Sequence, residues 1–233
     1  MAGTYSPKIV TDNIVLHLDA GNPKSYVGSG TSWRDLSGGG YHATMYGTVP
    51  YETDTTPCFN FGTASGTYSY NVNMGFTFGG NMVPTTGDFT FSCWIKNPNN
   101  SSGQVGLFSN AGGADGYRFG IGTDGIYYLI APGYQEGNVS FSSVLSSSLW
   151  YNVVCVYNRT AAKILLYRNG VYQAQTSIPV SQTAFTAVTP GMVRSSCCGV
   201  YTGKIANFMV YSKALSADEV LLNYSALKGR FGY

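Results

Sequence analysis

The chain has 233 residues, of which 44% are apolar and only 10% charged, against roughly 25% charged in an ordinary soluble domain. That apolar share is enough to fill one large β sandwich, a class that often runs to roughly 200–250 residues as a single unit, and it argues against disorder. The net charge of +2 comes from basic residues scattered singly, which argues against a nucleic-acid partner, because neutralising phosphate takes a grouped basic face.

Met1 to Ile9 is polar, and the first apolar run, 14–18, is too short for a signal core or a membrane span, so neither secretion nor membrane insertion is expected. The five cysteines are Cys58, Cys93, Cys155, Cys197 and Cys198, with no C-x-x-C spacing. They are expected as free thiols in a reducing cytoplasm, since a bridge between adjacent residues is strained. The N-x-S/T triplets that begin at Asn100, Asn138, Asn158 and Asn223 are then chance matches.

Residues 1–13 are expected to form a short N-terminal arm and 14–233 a single domain. A first strand over 14–18 leads into the turn cluster Asp19-Ala-Gly-Asn-Pro23, and a second turn, Trp33-Arg-Asp-Leu-Ser-Gly38, offers Asp35 to nearby backbone amides. A short strand follows at 58–61. The clearest strand is 88–96, where Phe89, Phe91, Cys93 and Ile95 alternate with Thr90, Ser92, Trp94 and Lys96. Another is expected over 104–109. Residues 117–121 and 126–131 read as a hairpin turning at Asp124-Gly125, and 149–157, apolar on both faces, as a central strand. Residues 163–168 and 171–176 flank Asn169-Gly170, a type I′ turn signal. A last strand covers 204–211. One helix follows, opened by the capping box Ser216-Ala-Asp-Glu219, with Val220, Leu221, Tyr224 and Leu227 as its apolar face and Gly229 at its end. Many strands and one helix predict an all-β class.

Three stretches resemble one family. Phe89-Thr-Phe-Ser-Cys-Trp-Ile-Lys96 is similar to the central strand of the concanavalin A-like, laminin-G-like jelly roll. Leu149-Trp-Tyr-Asn-Val-Val-Cys-Val-Tyr157 with Lys163-Ile-Leu-Leu-Tyr-Arg-Asn-Gly-Val171 resembles its W-Y-x-V-V … L-Y-x-N-G hairpin, and 203–219 resembles its closing strand and helix. The resemblance implies a two-sheet antiparallel jelly-roll sandwich with one short C-terminal helix. Many members carry Asp just after the closing strand's Gly-x-Ile. Here Ala206 follows Gly203-Lys-Ile205, so no family calcium site is carried over. The terminal stretches 15–26, 33–38 and 219–232 resemble jelly-roll proteins of tailed-bacteriophage virions. That implies a virion protein made in the bacterial cytoplasm, bound to other virion proteins and forming a homo-oligomer.

Glucanases of this fold place acid and nucleophile on one strand in an E-x-D-x-E pattern, where alternate residues share a face. The chain has three glutamates, Glu52, Glu136 and Glu219, and its nearest match, Glu52-Thr-Asp54, lacks the second one. Two separate histidines, His17 and His42, make neither a triad nor a zinc site. The expectation is therefore a non-enzyme with no cofactor. Asp19, Asn22 and Asp35 are the candidates for calcium, each with the rival role of capping its own turn. For glycan or protein contact the candidates are Trp33, Tyr41, Tyr117, Tyr134 and Tyr201, which lie in or beside expected loops; Trp94 and Trp150 are expected in the core. With the virion setting that the resemblance implies, the expected role is a decoration or structural subunit on the surface of a head or tail; the alternative is a receptor-binding module for host polysaccharide, and a weaker one an atypical glycan hydrolase.

Overall fold

The computed structural model describes residues 7–62, 75–96, 107–110, 117–130, 135–178, 190–192 and 201–233. Within them the chain forms two antiparallel sheets of eight strands each. The first holds β1 (Ile14–Asp19), β4 (Tyr51–Glu52), β5 (Cys58–Asn60), β7 (Phe89–Lys96), β12 (Trp150–Asn158), β13 (Lys163–Arg168), β14 (Val171–Ser177) and β16 (Lys204–Tyr211). The second holds β2 (Ser32–Trp33), β3 (Ala43–Tyr46), β6 (Gly75–Phe78), β8 (Phe108–Asn110), β9 (Tyr117–Ile121), β10 (Gly125–Ile130), β11 (Gln135–Ser140) and β15 (Pro190–Met192). The first sheet runs β14-β13-β12-β7-β16-β5-β4, with β1 also paired to β16, and the second runs β11-β10-β9-β8-β15-β6-β3-β2.

The main core lies between the sheets and is dominated by aromatic rings, with Phe59, Phe76, Phe89, Phe91, Phe108, Phe119 and Phe208 fully buried. The alternation of β7 sends Phe89, Phe91, Cys93 and Ile95 into this core. Its other face is buried as well. There Thr90 Oγ1 donates to the Lys213 carbonyl (2.8 Å) and accepts from Leu215 N (3.0 Å), fixing the chain that crosses this face. Cys93 and Cys155 are buried free thiols, and burial pushes both well above the ordinary thiol range. Cys58 is pushed up to about 11 by burial. Cys197 and Cys198, and the residues 104–106 expected in a strand, lie outside the described residues.

Helix α1 (Ala217–Leu227) begins with the expected capping box: Ser216 Oγ accepts from Glu219 N and Glu219 Oε2 accepts from Ser216 N. Its end differs from expectation. Gly229 falls inside a 3-10 turn (Lys228–Phe231), and that turn is capped by Gly232, which has the positive φ of 88°. That extra turn brings Phe231 flat onto the outer face of Trp94, with ring centroids 3.9 Å apart and planes 5° apart; such a pair adds about 0.5–1.5 kcal/mol beyond area burial. The buried face of α1 also differs. Val220 and Asn223 are buried, whereas Leu221 is half exposed.

Asn169 and Gly170 have φ of 52° and 78°, as the type I′ reading requires. The β9–β10 connection turns one residue earlier than expected. Gly125 already belongs to β10, and it is glycine because a Cβ there would run into the Val139 carbonyl of β11. Within the expected N-terminal arm, Ile9 and Val10 pack on the outer face of the first sheet, with Val10 buried beside β16 and α1, while residues 11–13 are exposed.

Candidate functional site

The structure moves three of the expected contact residues into the core. Trp33 and Tyr201 are fully buried and Tyr117 is nearly so. Trp33 packs 4.6 Å from Phe59 and 5.3 Å from Phe76, Tyr201 lies against Phe61, and Tyr117 packs among Phe89, Phe108 and Phe119. Burial raises the phenol pKa of Tyr117 and Tyr201 well above the usual value. A neighbouring loop in sequence does not decide which way a strand-end ring points, and two wide sheets need many large rings between them. Tyr41 stays partly exposed, its ring resting beside Gly39 and Gly80 and against the core edge. Tyr134 lies outside the described residues.

The calcium candidates already have other partners. Asp19 accepts from Arg230 Nη1 at 2.7 Å on both oxygens and from Gly21 N at 2.9 Å. Asn22 Oδ1 caps Lys24 N (3.0 Å). Asp35 accepts from the amides of His17, Ser37 and Gly40 and from Ser37 Oγ. These acids tie turns and termini together and do not converge on a cation. Among the described residues no group of three or more His, Cys, Asp and Glu side chains is placed to hold a metal ion. His17 sits inside this cluster, its Nε2 3.2 Å from Asn207 Nδ2. Burial pushes its pKa below the ordinary imidazole value; Asp19 and Asp35 oppose that shift and Arg230 adds to it.

Glu52 is equally engaged. Its Oε2 accepts from the Lys204 ammonium and its Oε1 from Asn60 Nδ2 (2.6 Å). Lys204 and Asn60 hold the carboxyl below the usual carboxylate range. A general acid in glycoside hydrolysis needs the opposite shift.

A surface with binding chemistry forms elsewhere, around the Asn169-Gly170 turn. On the first sheet's helix side Tyr172 stands opposite Tyr167 in register, and the two rings meet edge to face at 5.7 Å. Helix α1 runs beside β14 and brings Leu221 and Tyr224 to the turn: a Cβ on Gly170 would sit 3.0 Å from Leu221 Cδ1 and 3.1 Å from Tyr224 Cδ1. The C-terminal Tyr233 completes the group, 6.0 Å from Tyr224, with its hydroxyl donating to the Trp150 carbonyl. Tyr172, Leu221 and Tyr233 are 47%, 48% and 44% exposed, so this is an open aromatic patch rather than core. Its rim is polar, with Lys228 5.7 Å over the Tyr224 ring and Gln173 Nε2 on the carbonyls of Val171 and Tyr172. Rigid aromatic rings with a few fixed amides can present stacking area at low entropic cost. Sequence reasoning missed the patch because its members come from a hairpin, a helix and the C-terminus. The Asn-Gly turn was the one readable signal at its centre.

A family model described as the concanavalin A-like lectin/glucanases superfamily matches residues 71–221. The chain belongs to this superfamily. No curated protein sequence matches it. Among solved structures it is similar to the binding domain of botulinum neurotoxin DC in complex with rat synaptotagmin II (15% identity, TM-score 0.66, covering 94% of this chain and 52% of that one). It is also similar to botulinum neurotoxin type C, whose cell entry is dependent upon interaction with two ganglioside molecules (14%, TM-score 0.68, 94% and 52%). A third is domain 4 of AbnA, a GH43 extracellular arabinanase from Geobacillus stearothermophilus, in complex with arabinotriose (13%, TM-score 0.66, 90% and 97%). The chain spans about half the length of the neurotoxin structures and nearly all of the arabinanase domain. At these identities the superfamily likeness is one of fold: a lectin-like jelly roll shared with binding domains.

Proposed function

We propose that this superfamily member is a non-catalytic binding module on the surface of a tailed-bacteriophage virion, and that it recognises host cell-surface polysaccharide through the Tyr172–Tyr224–Tyr233 patch. The observation that carries the reading is the patch itself. Two tyrosines, Tyr172 and Tyr233, and Leu221 stay open to solvent around a glycine turn, with Tyr224 half-buried beside them, on a fold shared with a domain bound to arabinotriose. The engagement of Glu52 with Lys204 and Asn60 supports the non-catalytic part. The phage setting is supported by the resemblance of the two terminal stretches to virion jelly rolls.

A purified chain should bind a subset of bacterial surface glycans on an array, and Tyr172→Ala or Tyr233→Ala should abolish the signal. Silence across a broad array would sink the glycan reading. The low charge content of 10% favours a second reading, a decoration subunit held by protein contacts. That protein would be found in many copies per purified particle and would bind particles lacking it, with no response to sugar.

A further inference from the structure

Val10 is held on the outer face of the first sheet by atoms that read its main chain. Its N–H donates to Asn223 Oδ1 (2.8 Å), its carbonyl accepts from Tyr211 Oη (3.1 Å), and Asn223 Nδ2 donates to that same Oη (3.0 Å). The three bonds close a ring and all are buried. Asn223 is 1% exposed on the face of α1 that packs against the sheet, where an apolar residue is the ordinary choice. A buried amide that accepts from a passing backbone N–H with one end and with the other orients the hydroxyl that serves the same residue's carbonyl is a recognition device, because an unpaired amide there would cost about 1–3 kcal/mol. The Val10 side chain drops into an apolar socket with Tyr167, Met209, Leu215 and Val220. The socket therefore demands an extended segment with one small apolar side chain, and β16 and α1 form it.

The joint that delivers this segment is the weak part. Asn13 has φ 56°, a left-handed conformation that asparagine tolerates better than other residues with a Cβ and glycine tolerates better still. The turn is closed by Ile14 N to the Thr11 carbonyl at 3.4 Å, beyond ordinary hydrogen-bond length. The Asn13 carbonyl accepts from Ser212 N at 2.9 Å, but rotation about the Asn13 φ leaves that bond in place. The Lys213–Asp12 pair is exposed on the Asp12 side and adds little. Opening the joint thus sacrifices one poor turn bond and the partly exposed Lys213–Asp12 pair and relieves the left-handed residue, while every bond in the socket can be remade by the same segment from another chain.

We propose that the socket is a homotypic docking site: it accepts the Val10 segment of a second copy of this chain, so that copies are linked by exchange of their N-terminal arms. Within one chain the arm's advantage is its effective concentration, on the order of millimolar. Copies crowded side by side reach the same range, and a short strained hinge then favours exchange. This inference does not depend on the glycan reading.

Two substitutions at the hinge test it on the full chain, with molar mass measured by light scattering across a dilution series. Asn13→Pro fixes φ near −65° and forbids the closed turn; among the described bonds none uses the Asn13 N–H. It should convert the protein to dimers or larger species with its thermal midpoint kept, and adding Asn223→Ala should return it to monomer. Asn13→Gly relaxes the closed turn and should lower the dimerisation constant about five-fold or more relative to the parent. The proposal is overturned by an Asn13→Pro chain that stays monomeric, by dimers that survive Asn223→Ala, or by equal dimer fractions in the parent and Asn13→Gly across the series.

Discussion

Replacing Gly170 with alanine probes the contact on which the aromatic patch is built. Two penalties meet there. The first is conformational: Gly170 has φ 78°, and a Cβ in that region costs about 1–2 kcal/mol, offset by about 0.4–1 kcal/mol because alanine also restricts the unfolded chain. The second is steric: the new Cβ would lie 3.0 Å from Leu221 Cδ1 and 3.1–3.2 Å from two Tyr224 atoms, so α1 or its side chains must give way, at about 1 kcal/mol or more. Together the loss is about 2 kcal/mol. For a chain of this size each kcal/mol moves the thermal midpoint by roughly 2–4 °C, so a drop of about 4–8 °C is expected by calorimetry. Gly38→Ala is the matched control. Its φ is 90° and nothing lies within 4 Å of the added Cβ, so only the conformational penalty remains, about 2–3 °C. Equal losses for the two variants would show that the hairpin turn does not support Leu221 and Tyr224, and the patch would lose its structural basis.

His17 gives a pH dependence with a definite sign. Its folded pKa lies below the unfolded value of about 6.5, so its contribution is complete above that pH and is lost as the unfolded chain takes up the proton below it. The parent's thermal midpoint should therefore fall between about pH 7 and pH 5 more steeply than that of His17→Gln; parallel curves would refute the role given to burial. Arg230→Met leaves the nearly buried Asp19 carboxylate uncompensated and should cost roughly 2–3 kcal/mol by denaturant titration, below the full buried-pair value because Arg230 is partly exposed. A chelator should leave the parent's midpoint unchanged; a drop of several degrees would show that a cation sits among Asp19, Asn22 and Asp35 after all. Glu52→Gln breaks a half-exposed pair with Lys204, should cost about 1 kcal/mol or less, and should leave reducing-sugar release from polysaccharides at background, as in the parent.

The fold was legible because its strongest signals are local. The alternation of β7, the Asn169-Gly170 turn and the Ser216/Glu219 capping box each fix backbone geometry within a few residues, and each stands where the sequence placed it. The contact residues were not legible for the converse reason. Trp33 and Tyr117 sit at strand ends and Tyr201 lies just before β16, where residues far away in the chain determine burial. Tyr224 and Tyr233 became neighbours because a 3-10 turn extends α1 past Gly229 and folds the C-terminus back onto Trp150. The seating of Val10 was equally illegible, because nothing near it in sequence announces Asn223.

The central claim is that an open aromatic patch on a lectin-like jelly roll binds polysaccharide. Its most direct test is a calorimetric titration of the purified chain with the best glycan found on an array, run beside Tyr172→Ala and Tyr233→Ala variants that retain the parent's thermal midpoint. Each substitution should weaken binding about ten-fold or more, as expected of a contact worth over 1 kcal/mol. Full affinity in both variants would place the glycan elsewhere on the molecule and contradict the account.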